Sequence, residues 1–260
     1  MKIRHPRKKI TGIIPAAGFA NRLPMLPCSK EIFPIHVNTG DPENTDKVNI
    51  VSSSLLNNMR NADARNAFII IRKDKWDIPY LLEDGKDFDL NFSYIVTPPT
   101  KGTTYTLMKA LPFVQEDTIL FGFPDILIDA DNPFNKLLQK LDQGNSDIVL
   151  GLFGATNPQK VDMVDFNENG SIKKIHIKPE NTTLRYTWLL AVWNSDFTAA
   201  IPRLLRLSES KIKAREIYIG DIVQAAIEQG MGVDYLIFQN SQYIDIGTPG
   251  DLSKVIRQSF

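Results

Sequence analysis

Two aspartates of this sequence each stand where a strand-like run ends. Asp125 follows the apolar run Thr118–Pro124, and Asp245 closes the run Gln242–Asp245 just before Gly247. Open α/β sheets bind ligands at the carboxyl ends of their strands. Mg²⁺ takes one or two carboxylates together with waters and phosphate oxygens. The two positions therefore predict a Mg²⁺ site with Asp125 and Asp245 as ligands.

Two readings compete with that assignment. Asp129 and Asp131 also lie close to the end of the Thr118–Pro124 run, although both come later in the chain than the expected strand end. An aspartate at a strand end is also a common turn-forming or helix-capping residue. We favour Asp125 because the strand end itself is the general ligand position.

A second chemical feature is the segment from Ala16 to Leu23, which follows the strand-like run Ile10–Pro15. It contains small residues and then the basic Arg22. Small residues let backbone N–H groups approach an anion closely. The segment has neither the Gly-Lys-Ser/Thr of a Walker A loop nor the G-x-G-x-x-G of a dinucleotide site. On its own it fits a phosphate-binding loop and an ordinary tight connection equally well.

Strand-like and helix-like segments alternate through the first 150 residues. The predicted strands are Ile10–Pro15, Ala67–Ile71, Phe92–Val96, Thr118–Phe123 and Asp147–Leu152, and the predicted helices are Ser53–Met59, Thr104–Leu111 and Pro133–Leu141. This alternation indicates a mostly parallel sheet covered on both faces. We therefore predict an α/β fold, a Rossmann-like three-layer α/β/α arrangement with a mostly parallel mixed central sheet.

The second half of the chain changes character. Met163–Asn167 and Ile172–Ile177 flank Asn169-Gly170, which predicts a β-hairpin and hence a small antiparallel subregion. Further strands are expected at Leu189–Trp193, Tyr235–Phe238 and Tyr243–Ile246, and helices at Phe197–Leu207, Asp221–Glu228 and the end of the chain. No repeat or composition break divides the sequence. We expect one domain over residues 1–260, with a basic arm at 1–9, a loop at Val37–Asn49 and a sugar-phosphate-binding subregion at about 155–195.

Composition excludes several classes of protein. The 260 residues carry 30 Lys plus Arg against 30 Asp plus Glu, so no overall charge favours nucleic acid or a membrane surface. No apolar stretch reaches the roughly 20 residues that span a bilayer. The single Cys28 cannot form an internal disulfide, which makes a reducing, cytoplasmic location the default expectation. We expect no nucleic-acid partner and no membrane.

The motifs together resemble those of the sugar-1-phosphate nucleotidylyltransferases, which include glucose-1-phosphate thymidylyl- and uridylyltransferases. The first motif is Ala16–Leu23 followed by Ser29–Ile35, where Arg22, Leu23, Lys30, Pro34 and Ile35 match the family in type and spacing. The last motif is Asp245–Leu252, which reads Asp-Ile-Gly-Thr-Pro-Gly-Asp-Leu. Weaker landmarks in family order are Gly102-Thr103, Asp125, Lys178-Pro179 and Trp188–Trp193.

The resemblance implies a specific reaction. A nucleoside monophosphate passes from an NTP to a sugar 1-phosphate, and pyrophosphate leaves by a Mg²⁺-assisted in-line displacement. Arg22, Lys30 and Asp125 would be catalytic, with Arg22 on the β- and γ-phosphates and Lys30 at the α-phosphate. The implied nucleotide-binding residues are Ala16, Ala17, Gly18, Phe19, Thr97, Gly102 and Thr103. The implied sugar-phosphate residues are Lys178, Asp162 and Trp188, although core packing is an equal alternative for Trp188 and Trp193.

Departures from the family pattern fall mainly on substrate recognition. Thr97 stands where pyrimidine-reading members have Gln, Ile177 replaces the Glu of Glu-Lys-Pro, and Asp162 replaces a Gly beneath the sugar. Pro124, Ala17 and Ala20 replace further glycines. We therefore expect an active transferase with altered specificity. The alternatives are a cytidylyltransferase acting on a non-sugar phosphate or phosphonate such as phosphocholine, and a silent nucleotide-sugar-binding module.

Two further expectations concern the whole molecule. Homo-oligomers are frequent in the resembling family, so a homo-oligomer stays open for this chain. Some relatives carry a left-handed β-helix after the catalytic domain. Because this sequence ends shortly after Leu252, we expect no second acyltransferase activity.

Overall fold

The computed structural model describes residues 9–19, 22–23, 26–36 and 48–257. The predicted basic arm except Lys9, residues 37–47 of the predicted loop, and Ala20 lie outside these ranges. The strands are β1 (Ile10–Pro15), β2 (Pro34–His36), β3 (Val48–Ile50), β4 (Asn66–Arg72), β5 (Asn91–Thr97), β6 (Thr118–Gly122), β7 (Ile126–Asp129), β8 (Ile148–Gly154), β9 (Met163–Phe166), β10 (Ile172–His176), β11 (Tyr186–Trp193), β12 (Val233–Ile237) and β13 (Gln242–Asp245). The α-helices are α1 (Ser53–Asn61), α2 (Asp77–Leu82), α3 (Thr103–Leu107), α4 (Pro133–Gln143), α5 (Ser195–Lys211), α6 (Ile219–Glu228) and α7 (Pro249–Arg257).

A nine-stranded sheet organises the described residues, with the order β10-β9-β11-β6-β1-β4-β5, and β8 and β12 extending it from β11. The pairs β6–β1, β1–β4, β4–β5 and β8–β12 are parallel. Strand β11 runs antiparallel to both β6 and β8. Four strands are apolar along almost their whole length, as expected for strands covered on both faces. These are β1, β4, β6 and β8.

Two apolar clusters lie on opposite faces of this sheet. One cluster joins α5 and α6 to the sheet and includes Phe197, Ile201 and Ile222. The other joins α1 and α4 to the sheet and includes Met59 and Phe134. The predicted three-layer α/β/α fold with a mostly parallel mixed sheet is confirmed.

The predicted hairpin is also confirmed. Strands β9 and β10 pair antiparallel. In the turn between them, the Gly170 N–H donates to the Asn167 carbonyl at 2.9 Å, and Gly170 adopts φ +82°. A side chain other than that of glycine is strained in this conformation, which explains the Asn-Gly sequence.

The structure differs from the sequence prediction at several elements, and β2 and α2 are among those that were not predicted. The helix predicted at Thr104–Leu111 spans Thr103–Leu107, and a separate 3₁₀ turn follows at Leu111–Phe113. Pro112 explains the break, because proline lacks the N–H that a continuing helix requires. Residues 48–49 of the predicted loop belong to β3, which pairs with β2. Strand β7, right after Asp125, was not predicted.

Candidate active site

A cavity of about 470 Å³ opens where several strands and helix starts meet. Its size is in the usual range for small-molecule sites. Its lining includes residues from both sequence motifs and from the second half of the chain. Its polar residues include two clusters. The Asp125 cluster is Arg22, Lys30, Asp125 and Asp245, and the Asp162 cluster is Asp162, Lys178, Trp188 and Tyr218.

Strands β7 and β13 bring the two predicted metal ligands together. They pair antiparallel with Asp245 opposite Ile126, and the Ile246 N–H donates to the Asp125 carbonyl at 2.9 Å. The pKa of Asp245 is raised to about 6, first by burial and then by the neighbouring Asp125 carboxylate. The two carboxylates are therefore close enough to repel each other, as expected for a pair that shares a cation.

Lys30 neutralises part of this negative charge. Its ammonium group forms an ion pair and a hydrogen bond with Asp125 Oδ2. Burial alone would lower the pKa of Lys30, but Asp125, Glu31 and Asp245 outweigh it and raise the pKa of the ammonium group. Lys30 is thus a permanent positive charge inside the cavity.

Arg22 lies on the other side of Asp245. Its positive charge lowers the pKa of Asp245, against the larger effect of burial. Its guanidinium lies over Gly247, where a Cβ atom would approach Nη2 to 3.0 Å. Gly247 therefore leaves room for Arg22, which links the first motif to the last one.

Buried contacts behind the cavity hold the segment that carries Lys30. Lys75 Nζ donates to both carboxylate oxygens of Glu31, at 2.7 and 2.8 Å, and both side chains are buried. Next to this pair, the Ser29 N–H and hydroxyl donate to Asp77 at 2.5 and 2.9 Å. These contacts could not be predicted from local spacing, because the partners Lys75 and Asp77 lie more than 40 residues further along the chain.

The predicted small-residue loop reaches the cavity in part. Ala17, Gly18 and Phe19 line it, whereas Ala16 is buried behind it. The Arg72 guanidinium carbon lies 3.8 Å from the centre of the Phe19 ring, which fixes this exposed ring by a cation–π contact. Gly102 and Thr103 also line the cavity at the start of α3, where Gly102 adopts φ +125° and a Cβ would collide with Glu216.

Thr97 does not line the cavity. It is buried at the end of β5, and its hydroxyl donates to the Pro98 carbonyl at 3.1 Å. Thr100 lines the cavity instead, and its hydroxyl donates to the Gly102 carbonyl at 3.0 Å. The residue that reaches the cavity wall, Thr100, therefore lies three residues after Thr97, the position that the sequence comparison aligned.

The competing aspartates also lie elsewhere. Asp129 is exposed on β7 opposite Gln242. Asp131 pairs with Lys136 at 3.3 Å on the surface. Neither lines the cavity, whereas Asp125 does, which favours Asp125 as the functional residue of the three.

Cys28 is a poor nucleophile in this setting. Burial, Asp77 and Glu31 all raise the pKa of its thiol. A raised pKa reduces the thiolate population, so the bystander interpretation of Cys28 is favoured.

The Asp162 cluster is built on a cation–π contact that the sequence did not suggest. Lys178 Nζ lies 3.7 Å from the centre of the Tyr218 ring. Lys178 also adopts φ +40°, which is uncommon for a residue with a side chain and is often found at functional sites. Tyr218 is held in turn at the start of α6, because its N–H and the Arg215 guanidinium both donate to Asp221.

Asp162 is the unusual group of this cluster. Burial raises the pKa of Asp162 to about 6, even though Lys178, Arg215 and the Trp188 indole each lower it and Asp221 raises it further. Its carboxylate packs on Gly220, where an added Cβ would collide with Oδ2 and would lie 2.7 Å from Ile177 Cδ1. The two family departures at 162 and 177 are therefore neighbours in space.

The two tryptophans of β11 differ in their surroundings. Trp188 lines the cavity, while Trp193 is buried away from it, and its indole N–H donates to Thr198 at 3.0 Å. Both rings lie in the same apolar cluster. A register shift between Trp188 and Leu190 allows both rings to lie in this one cluster. A bulge turns the residues that follow it, including Trp193, to the other face of the sheet.

The donor set fits the predicted Mg²⁺. Asp125 and Asp245 offer two neighbouring carboxylates beside open cavity, which leaves coordination positions for water and phosphate oxygens. Within the described ranges, no group of three or more His, Cys, Asp or Glu side chains is arranged for a metal. That is consistent with an ion bound by two carboxylates rather than by an all-protein cage.

This geometry defines an α/β fold with a charged cleft at the strand ends. The nucleotidyl transferase family model matches residues 11–259, so the chain belongs to the nucleotidyl transferase family. The predicted family and enzyme class are thereby confirmed.

Individual relatives agree with this assignment. The glucose-1-phosphate thymidylyltransferase of Neisseria meningitidis is 25% identical over 241 residues, which cover 91% of this chain and 78% of that protein. The low-salt glycan biosynthesis nucleotidyltransferase Agl11 of Haloferax volcanii is 23% identical over 184 residues, covering 71% of this chain and 50% of that protein. The chain thus spans only half the length of the archaeal relative.

Solved structures share the fold. A crystal structure from Bacillus anthracis, described as a glucose-1-phosphate thymidylyltransferase in complex with a sucrose, superposes with a TM-score of 0.79. It is 19% identical, and the match covers 96% of this chain and 95% of that one.

In the described part of our chain, none of the helices has the length and apolar character needed to cross a membrane.

Proposed function

We propose that this protein transfers a nucleoside monophosphate from an NTP to a sugar 1-phosphate and releases pyrophosphate. The observation that carries the proposal is one cavity whose cationic side chains lie in two separate clusters. Arg22 and Lys30 flank the paired aspartates, and Lys178 lies in the second cluster. A reaction between two phosphate-bearing substrates requires such an arrangement, because each anion needs its own positive partner.

The residues divide the work by charge. Arg22 is suited to the β- and γ-phosphates, since its planar fork matches phosphate oxygens. Lys30 is suited to the α-phosphate, and Lys178 to the phosphate of the acceptor. An acceptor oxygen forms a bond to the α-phosphorus as the bond to the bridging α–β oxygen breaks, and the electron pair leaves with pyrophosphate. Positioning and electrostatic stabilisation account for the catalysis, so no covalent enzyme intermediate is needed.

Asp125 and Asp245 are the residues that would hold Mg²⁺. A bound Mg²⁺ would neutralise charge on the triphosphate as the pyrophosphate departs. Lys30 pairs with Asp125. We therefore infer that Lys30 and the ion share the Asp125 carboxylate.

The alternatives make different use of the same cavity. A silent binding module would have no need for Lys30, Asp125, Asp245 and Arg22 in one cavity. A cytidylyltransferase for a non-sugar phosphate would keep the Asp125 cluster and change only the acceptor side. The silent module would turn over no substrate, and the cytidylyltransferase would turn over a different acceptor. An assay in which the substrates are varied therefore distinguishes both from the leading proposal.

Pyrophosphate release measured with four NTPs and a panel of phosphorylated acceptors tests the proposal. The panel contains several sugar 1-phosphates and phosphocholine, each assayed with Mg²⁺ and after chelation. We expect Mg²⁺-dependent turnover with at least one sugar 1-phosphate, and none in the Asp125→Asn variant. Nucleotide-sugar binding with no turnover in any combination would establish the silent module instead.

A further inference from the structure

Two polar atoms in the Asp162 cluster are buried without a partner. Trp188 Nε1 and Asp162 Oδ1 have no hydrogen-bond partner within normal geometry among the described residues. The indole N–H nevertheless faces the carboxylate closely enough to lower the pKa of Asp162 against the larger effect of burial. The donor and the acceptor are thus neighbours that do not complete a bond.

Unpaired buried atoms of this kind are uncommon. Most buried polar groups in folded proteins have a partner, and an unpaired one in a cavity wall suggests a missing ligand group. Thr187, next to Trp188, adds a third such atom, since its hydroxyl oxygen is also buried without a partner. All three residues line the same cavity, and it is the cavity that contains the Asp125 cluster.

We infer that a hydroxyl group of the acceptor bridges Trp188 and Asp162, accepting from the indole N–H and donating to the carboxylate. This inference rests on the proposed function and names its acceptor class, a phosphate carried on a polyhydroxylated ring. One hydroxyl satisfies both unpaired atoms, because it is a donor and an acceptor at once.

The same cluster argues against a quaternary ammonium acceptor. Such a cation binds over aromatic faces. The face of Tyr218 is already covered by Lys178, whose Nζ lies 3.7 Å from the ring centre. A trimethylammonium group also has no hydrogen-bonding atoms, so it would leave Trp188, Asp162 and Thr187 unpaired. Phosphocholine is therefore disfavoured by the occupied aromatic face and by the hydrogen bonds that it cannot make.

The Trp188→Phe variant isolates the proposed hydrogen bond. It removes the N–H and keeps an aromatic ring, so we expect KM for the acceptor to rise about 10-fold with KM for the NTP unchanged. Trp193→Phe is the matched control on the same strand. Its N–H bonds Thr198 away from the cavity, so it should lower thermal stability and leave both KM values unchanged.

A double variant and deoxy acceptors complete the test. Trp188→Phe combined with Asp162→Asn should cost little more than the more severe single variant, because both contact one hydroxyl. A deoxy acceptor lacking that hydroxyl should bind weakly to the unsubstituted protein and respond little to Trp188→Phe. Unchanged acceptor KM in Trp188→Phe, or phosphocholine turned over in preference to every polyhydroxylated phosphate, would overturn the inference while nucleotidyl transfer stands. Absence of turnover with any acceptor would refute the proposed function, and the inference with it.

Discussion

The Asp125 cluster contains an ion pair, whereas the Asp162 cluster contains two polar atoms without a hydrogen-bond partner among the described residues. In the first, Lys30 bonds Asp125, and the buried Glu31–Lys75 pair supports the segment that carries Lys30. In the second, a buried carboxylate and an indole N–H face each other without a bond. The proposed acceptor hydroxyl would complete the hydrogen bonding of the second cluster.

This comparison also relates stability to function. A paired buried charge that loses its partner destabilises a protein strongly. A buried carboxylate without a full partner already lowers stability, so its removal can increase it. Breaking the buried Glu31–Lys75 pair and removing the Asp162 carboxylate should therefore change stability in opposite directions. Two of the four predictions test that contrast, and the other two test the roles of the clusters in turnover.

The largest effect is expected at the buried Glu31–Lys75 pair, which supports the segment that carries Lys30. Lys75→Ala leaves the Glu31 carboxylate buried and unpaired, which should lower the free energy of unfolding by about 3–5 kcal/mol. Urea denaturation measures it. Lys136→Ala, which breaks an exposed pair with Asp131, serves as control and should cost about 1 kcal/mol or less.

The double variant Glu31→Gln/Lys75→Met sharpens that result. It removes both charges, so it should be clearly more stable than Lys75→Ala alone. If Lys75→Ala unfolded at the same urea concentration as the unsubstituted protein, the supporting role of the buried pair would be wrong.

The second prediction concerns turnover. Lys30→Ala should lower kcat by on the order of 10²-fold or more, because it removes a positive charge from the α-phosphate. Steady-state pyrophosphate release measures this, with Lys136→Ala as an active control. Near-normal turnover in Lys30→Ala would contradict the site assignment even though the family is correct.

The third prediction reverses the sign of the stability change. Burial raises the pKa of Asp162 to about 6 from an ordinary value of 3.8. The folded state therefore binds this proton more tightly than the unfolded state, and stability is lost as the pH rises from about 4 to about 6. Asp162→Asn should accordingly be more stable than the unsubstituted protein at pH 8, by up to about 3 kcal/mol, and by much less at pH 4.

Urea denaturation of both proteins at several pH values checks this, with Asp165→Asn in the strand that follows, β9, as the control. Burial would raise the pKa of Asp165, but Lys173 and His176 outweigh it and lower the pKa. Its stabilising contribution is present above about pH 4, so Asp165→Asn should be less stable at pH 8. A loss of stability in Asp162→Asn at pH 8 would remove the contrast between the clusters.

The smallest effect is expected at Tyr218. Tyr218→Leu removes the aromatic face beneath Lys178, which should raise KM for the acceptor roughly 3-fold to 10-fold, as expected for a cation–π contact. Tyr218→Phe keeps the ring and should behave like the unsubstituted protein. An equal rise of KM in both variants would assign the effect to the hydroxyl rather than to the ring.

Local sequence signals predicted much of the fold and of the Asp125 cluster. Hydrophobic periodicity located most strands and helices, and Asn169-Gly170 located the hairpin turn, because these signals are read within a few neighbouring residues. Arg22, Lys30 and Asp245 lie in motifs whose spacing is itself informative. Strand β7 was missed because it begins immediately after Asp125, with only Phe123 and Pro124 between β6 and that residue.

The tertiary structure alone decided which distant groups meet. The sequence alone could not show that Thr97 lies outside the cavity wall, because the path of the chain after β5 is not a local property. Trp188 lines the cavity, whereas the Trp193 indole N–H bonds Thr198 away from it, although both are tryptophans of one strand. Glu31 with Lys75, and Lys178 with Tyr218, are partners across 40 or more residues, and such pairs depend on packing rather than on spacing. The sequence thus determined the class of chemistry, and the packing of separate elements determined the pocket that selects its acceptor.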